Sequence, residues 1–214
     1  MAETRIKIES LQRYGFTDLA SGRQARSKAE ANRLARQAIV IIGTDYYLRI
    51  FLLFAWAGRL PTSKFADKLL DTYEKFQPRI FGIEANAMQS LFADTVADAA
   101  KKKLKKANFM PISQSTRLDK DWRIVNDIEP VLASGRLFVL DDQYDFLSEL
   151  GGHPTARTKD VIDAFSSALR LIPRKPDARQ KNDDLNQLAE YLRKTGVPAW
   201  QIKRRIEEFK DGAL

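Results

Sequence analysis

Four carboxylates stand where acids can act together. Asp18 lies in a short strand-like run, Arg13–Ala20 (RYGFTDLA), and Glu84 ends the apolar run Arg79–Glu84 (RIFGIE). Asp160 and Asp163 follow at i and i+3 in an apolar helical pattern, so they share one edge of that helix. Acids brought to the ends of neighbouring strands repel one another, and burying them together is costly unless a cation neutralises them. The composition narrows which cation. The 214-residue chain has no Cys and one His, His153, which excludes disulfides, thiolate nucleophiles, Cys-ligated zinc and multi-histidine metal sites. Carboxylate oxygens suit hard ions such as Mg²⁺ or Mn²⁺. Two such ions about 4 Å apart can activate water and stabilise the leaving oxygen of a phosphodiester. Each acid also has an ordinary reading, as a loop residue or a helix cap, and position alone does not choose between the two. The excess of 36 Lys+Arg over 28 Asp+Glu, a net +8, suits a polyanionic partner and suits a plain basic protein equally well.

Hydrophobic periodicity gives the elements that must position these acids. Gln37–Thr44 (QAIVIIGT) is a β-branched run that reads as a buried strand, and Tyr47–Trp56 resumes as strand after an Asp45-Tyr46 turn, giving a hairpin. Pro61-Thr62-Ser63 opens a helix with Phe65, Leu69, Leu70, Tyr73 and Phe76 on one face, and Pro78 ends it. A second helix runs from Asn86, with Met88, Leu91, Phe92, Val96 and Ala99 on one stripe, into the basic cluster Lys101–Lys106. Phe109–Ser113 reads as a strand, Asp119–Ala133 as a helix closed by Gly135, and Arg136–Leu140 as a strand. Gly151-Gly152-His153-Pro154 reads as a flexible loop leading into a last core helix, Thr158–Ile172. A hairpin followed by alternating helix and strand predicts a mixed-sheet α/β fold. Pro173-Arg174-Lys175-Pro176 reads as a linker, so residues 1–173 are expected to form one domain and 174–214 a helical tail patterned on Leu185, Leu188 and Leu192, then Ile202, Ile206 and Phe209. The longest strongly apolar stretch, near Ile50–Ala57, is far short of a membrane span, and the first residues lack the apolar core of a signal peptide.

The order of these features resembles a known family. Asp in the first strand (FTDLASG), the hairpin (AIVIIGTDYYLRIFLLFAWAGRLP), IEANAMQSLF and finally KDVIDAF together resemble the nuclease domain of the large terminase subunit of tailed double-stranded DNA bacteriophages. The resemblance covers roughly Leu11–Ile172; no single motif in it is decisive, and its specificity lies in order and spacing. It implies a ribonuclease H-like fold, and a metal-dependent endonuclease that cuts concatemeric viral DNA during packaging by two-metal hydrolysis, leaving a 3′-hydroxyl and a 5′-phosphate. By the resemblance, Asp18, Glu84 and Asp160 are the catalytic metal ligands for two Mg²⁺ or Mn²⁺ ions, and Asp163, which matches a further acid that the related resolvases carry, assists them as a fourth catalytic and metal-binding acid. It also implies double-stranded DNA as substrate, an ATPase motor domain, portal and small terminase subunit as partners, and the cytoplasm of an infected bacterial host as the site of action, neither secreted nor in a membrane. There are departures. Lys159 stands where many members carry the first acid of a pair, and the polar segment Gly22–Arg36 is longer than expected. The chain has no G-x-x-x-x-G-K-[ST] phosphate loop and begins just before the first nuclease strand, so the expectation is an excised domain or a separately encoded nuclease.

Basic residues complete the reading. Arg117, Lys120 and Arg123, around the start of a helix, and Lys101, Lys102 and Lys103, with Lys105 and Lys106, at the end of another, are candidate DNA contacts; a solvated helix end is the alternative for the lysines. Arg23, Arg26, Lys28, Arg33 and Arg36 form a candidate DNA-binding flap. His153 can orient water near a metal site or be an ordinary loop histidine. Two other functions remain open: a resolvase-like nuclease selective for branched DNA, and a catalytically silent DNA-binding or assembly module, which Lys159 favours.

Overall fold

The protein is described here from a computed structural model, which defines residues 6–19, 36–84, 91–102, 107–112, 119–173, 185–186, 189–190, 192–194 and 196–210. A 3-10 turn at Ile8–Ser10 leads into β1 (Gln12–Asp18). There follow β2 (Gln37–Thr44), β3 (Ile50–Gly58), α1 (Thr62–Phe76), β4 (Ile80–Glu84), α2 (Leu91–Lys102) and β5 (Phe109–Ile112). Then come α3 (Lys120–Ala133), β6 (Leu137–Phe138), α4 (Tyr144–Gly152), α5 (Asp160–Leu169) and, in the tail, α6 (Ala199–Lys210).

The strands form one six-stranded sheet in the order β5-β4-β1-β2-β3-β6. β2 runs antiparallel to both β1 and β3, whereas β1–β4, β4–β5 and β3–β6 are parallel pairs. The mixed sheet, with helices packed on it, is the mixed-sheet α/β architecture expected from the sequence. Strand alternation sends the two faces to separate cores. Tyr14 and Phe16 of β1 with Ala38, Val40 and Ile42 of β2 pack against Ile124 and Ile128 of α3, Phe146 of α4, and Val161, Ile162 and Phe165 of α5. Ile39, Ile41, Phe81 and Ile83, on the other face, pack against Phe65, Leu69 and Leu70 of α1 and Val96 of α2. A register shift pairs Ile41 with Phe54 but Ile42 with Leu52, so Leu53 is the extra residue of a β-bulge. The bulge turns Ala55 and Ala57 to the α5 side and Phe54 and Trp56 to the α1 side, which is how an almost wholly apolar run serves two cores.

Element ends follow local chemistry. Gln77 adopts a left-handed φ of 43° and caps α1 through Tyr73 O, just ahead of Pro78. Gly135, at φ 64°, allows its own N–H and that of Arg136 to reach back to Leu132 O and Val131 O and so closes α3 as expected. The hairpin turn runs further than Asp45-Tyr46, because the Asp45 carboxylate accepts from the backbone N of Arg49 at 2.9 Å and pairs with its guanidinium. The sequence reading misses α4. Its last turn holds Gly151 and Gly152, which read as loop; Phe146 buries completely against Phe165, rings 4.8 Å apart, and this packing outweighs the weak helix propensity of glycine. In the tail, Ala189, Leu192 and Ile202 bury together with Val197 and Ile206 beside them. No helix among the described residues is long and apolar enough to cross a membrane.

Candidate functional site

The site begins at the C-terminal ends of β1 and β4. These neighbours pair in parallel from Tyr14↔Ile80 to Thr17↔Ile83, and the same register carried one residue on sets Asp18 beside Glu84. Alternation puts both acids on the face that carries Tyr14 and Phe16, under α5. Two reciprocal pairs fix this alignment. Gly15 lies opposite Phe81 and Phe16 opposite Gly82. A Cβ added at Gly15 would come within 2.7 Å of the Phe81 ring, and one at Gly82 within 2.7 Å of the Phe16 ring. Each glycine thus makes room for the phenylalanine of the other strand.

Asp160 and Asp163 enter from the N-terminus of α5, both buried, at 6% and 4% exposure. Glu149 of α4 secures that terminus: its Oε2 accepts from the backbone N–H groups of Val161 (2.8 Å) and Ile162 (3.1 Å), two of the donors a helix start leaves open. Its Oε1 pairs with Arg36 at 2.6 Å. Arg36 also donates to Asp160 Oδ2 from its backbone N (3.2 Å) and its Nε (3.3 Å), and reaches Asp145 and Thr158. Burial opposes the charge of Arg36, but Asp145 and Glu149 outweigh it and raise its pKa further. By sequence Arg36 belongs to a candidate DNA-binding flap. Its side chain is only 17% exposed and turned into this acidic nest, so it braces α5 and engages Asp160 instead.

Asp163 faces α3. Its Oδ1 accepts from Arg123 Nη2 at 2.5 Å and its Oδ2 from Lys120 Nζ at 2.9 Å. Arg123 is 6% exposed, so its expected role as a surface DNA contact gives way to a buried ion pair. Lys120 differs: its side chain is 43% exposed. Burial opposes its charge, yet Asp163, then Asp18 and Asp160, outweigh it and raise its pKa. Asp18 responds the other way. Burial, with Asp163 and Glu84 nearby and a side-chain hydrogen bond to Glu84, pushes its carboxyl up from 3.8 to about 8 against the opposing pull of Lys120. Asp18, Glu84, Asp163 and Lys120 are therefore one electrostatic unit, and Asp160 reaches it through Lys120.

Whether these residues suit a divalent ion divides by position. Asp18 and Glu84 offer hard oxygen donors, and no ion pair to either is seen among the described residues. Asp163 already carries a protein cation on each oxygen. The structure does not draw the four acids into a single ligand set: among the described residues, no group of three or more acids or histidines lies close enough together to hold a metal ion.

The neighbouring residues have definite partners. Lys159 donates to both Asp121 oxygens at 2.7 Å, and His153 Nε2 lies 3.2 Å from Asp121 Oδ1. The hydrogen bond from Lys159 and its charge, with help from His153, hold the Asp121 carboxyl below its ordinary range. Lys159 thus ties the approach to α5 to the start of α3, where Asp119 accepts from the N–H groups of Asp121 and Trp122 as N-cap. Lys101 is exposed at the end of α2. Arg23, Arg26, Lys28, Arg33, Asn86, Lys103, Lys105, Lys106 and Arg117 lie outside the described residues, as does the side chain of Lys102. Sequence reasoning overlooks Glu149, Asp145 and Asp121; a lone acid inside the apolar run FLSEL is the one visible signal for Glu149.

No family model matches the chain, and no curated protein matches it. Among solved structures, the P22 large terminase nuclease domain aligns over 78% of this chain and 90% of its own length, with a TM-score of 0.49 and 14% sequence identity.

Proposed function

We propose that this protein is a divalent-metal-dependent DNA endonuclease of the kind found in terminase large subunits. One observation carries the reading: parallel register sets Asp18 beside Glu84 at adjoining strand ends, beneath the acidic N-terminus of α5. The residues that would hold a cation are Asp18 and Glu84, with Asp160 adjoining. A divalent ion held there would supply a water of lowered pKa and a charge to offset that of a phosphodiester. The chain's own residues provide the rest. The strand ends fix the two acids, Glu149 and Arg36 fix the start of α5, and Lys120 presents a positive charge on the open side of the cluster. The order of FTDLASG, IEANAMQSLF and KDVIDAF supports the same reading, with double-stranded DNA as substrate and an ATPase motor, portal and small subunit as packaging partners.

The test is nicking and linearisation of supercoiled plasmid in Mg²⁺ or Mn²⁺. Asp18→Asn and Glu84→Gln are expected to lose cleavage by at least about a hundredfold, the scale on which removing a catalytic electrostatic group acts; undiminished cutting by either variant sinks the assignment. A second reading, a silent DNA-binding module, is favoured by the pairing of Asp160 and Asp163 with protein cations. It requires chelator-resistant DNA binding and no cleavage with any added cation.

A further inference from the structure

We infer that the tail carries a DNA contact of its own: the first turns of α6, through Trp200, Lys203 and Arg204, meet the sugar-phosphate backbone of a duplex. The inference goes beyond the nuclease reading, because it needs neither a cation nor cleavage.

The first observation is one of charge. The stretch Tyr191–Ile206 holds five cations, Arg193, Lys194, Lys203, Arg204 and Arg205, and no Asp or Glu; Glu190 and Glu207 bound it. In a chain with 28 acids, so long a gap gathers positive charge at one place. Lys194 is already paired with Glu190 at 2.7 Å, which leaves the weight of the charge on α6.

The second is how the tail folds. The helical residues 192–194 end in a turn at Gly196, where the N–H of Gly196 reaches Arg193 O (3.1 Å) and that of Val197 reaches Leu192 O (3.0 Å). Pro198 O then accepts from the N–H groups of Gln201 (2.9 Å) and Ile202 (3.1 Å) as α6 begins. Leu192 and Ile202 bury together across this turn, with Ala189, Val197 and Ile206. The Ile202–Ile206 side of α6 is thereby used up in packing. Trp200, Lys203 and Arg204, at i, i+3 and i+4, share a different face, and all three are exposed, Trp200 at 65%.

The composition of that face selects the partner. A protein interface needs an apolar core, and here the aliphatic residues are turned inward, leaving a single indole. A duplex is held chiefly by cation–phosphate contacts, which Lys203 and Arg204 supply, while the flat amphipathic indole packs beside them. In two helices joined by a short turn, the first turns of the second helix are the part that meets DNA. Glu207 marks the far end of the contact on α6. Phosphate contacts carry no sequence information, so the face holds duplex of any sequence.

The experiment measures binding of the 214-residue chain to a fluorescent duplex of about 20 base pairs, by anisotropy in EDTA, from about 50 to about 200 mM salt. The wild-type chain is expected to bind. A Lys203→Gln, Arg204→Gln double variant, with unchanged melting, is expected to bind at least about tenfold more weakly, and its plot of log K against log salt to be less steep by about 1.8. Trp200→Ala is expected to weaken binding at an unchanged salt slope, since an apolar contact releases no counterion. A Lys64→Gln, Lys75→Gln double variant removes the same charge from exposed positions on α1 and is expected to bind within about twofold of wild type. No binding by the wild-type chain, unchanged affinity and slope in the α6 double variant, or an equal loss in the α1 double variant would each overturn the inference. Plasmid cleavage in Mn²⁺, run alongside, reports separately on the nuclease reading: a wild-type chain that binds duplex through α6 but never cuts overturns that reading and leaves the α6 contact standing.

Discussion

Replacing Asp18 with asparagine should stabilise the metal-free protein at alkaline pH. The Asp18 carboxyl titrates at 3.8 when unperturbed, whereas burial and the neighbouring Asp163 and Glu84 lift it to about 8 in the fold. The sign follows from linkage. Between these two values the unfolded chain has lost the proton that the folded chain still holds, so stability falls as pH rises from about 4 to about 8 and stays low above. At about 1.4 kcal/mol per pKa unit, the whole interval sets a ceiling of about 6 kcal/mol. Asp18 is partly open to solvent, and an effective dielectric near 20 is appropriate even at such sites, so about 2–3 kcal/mol is the expected effect. The substituted amide would keep a hydrogen bond to Glu84 without the charge. In a chain of this size that gain corresponds to a rise in Tm of roughly 5–10 °C at pH 8.5. The assay is urea or thermal unfolding in EDTA from pH 4 to 9 for both proteins. Convergence at pH 4 and a widening gap above it are expected. A difference that does not vary with pH, or a variant less stable at pH 8.5, would refute the proposed burial of an uncompensated acid.

Other expectations concern the scaffold. Glu149→Ala removes the acceptor for two α5 N–H groups and a partner of Arg36, and should cost about 2–4 kcal/mol in urea unfolding; a loss under about 0.5 kcal/mol would show that α5 does not depend on it. Gly15→Ala drives a methyl into the fully buried Phe81 ring and should cost about 1–3 kcal/mol, seen as a lower urea midpoint at unchanged slope. Asp119→Ala should cost about 1 kcal/mol through its lost cap, with the helical circular-dichroism signal nearly unchanged before the transition.

Legibility in the sequence tracks the range of the forces involved. Asp18 and Glu84 can be marked because each ends an apolar run with its own local pattern, and Gly135 because a left-handed cap is a property of a few residues. The i and i+3 spacing of Asp160 and Asp163 is visible too, but not their separation into different ion pairs. Arg36 lies 124 residues from Asp160 in sequence, and Arg123 lies 40 from Asp163. No periodicity links residues so far apart, so Arg36 and Arg123 read as free surface charges although tertiary packing claims them both. Helix α4 is hidden for the opposite reason: its glycines argue locally for loop, and only the burial of Phe146 against α5 overrules them.

The two glycine–phenylalanine pairs between β1 and β4 bear on how the chain reaches this arrangement. Parallel strands joined through a hairpin and a helix must find each other late and from a distance, when a shift of one residue is an easy error. Shifted one way, Phe16 would stand opposite Phe81 with no glycine to receive either ring; shifted the other way, Gly15 would stand opposite Gly82 and leave a void. Either mistake would also turn Glu84 to the opposite face from Asp18. The glycines thus act as a register key: a one-residue slip costs packing at both glycine–phenylalanine pairs and parts the two acids.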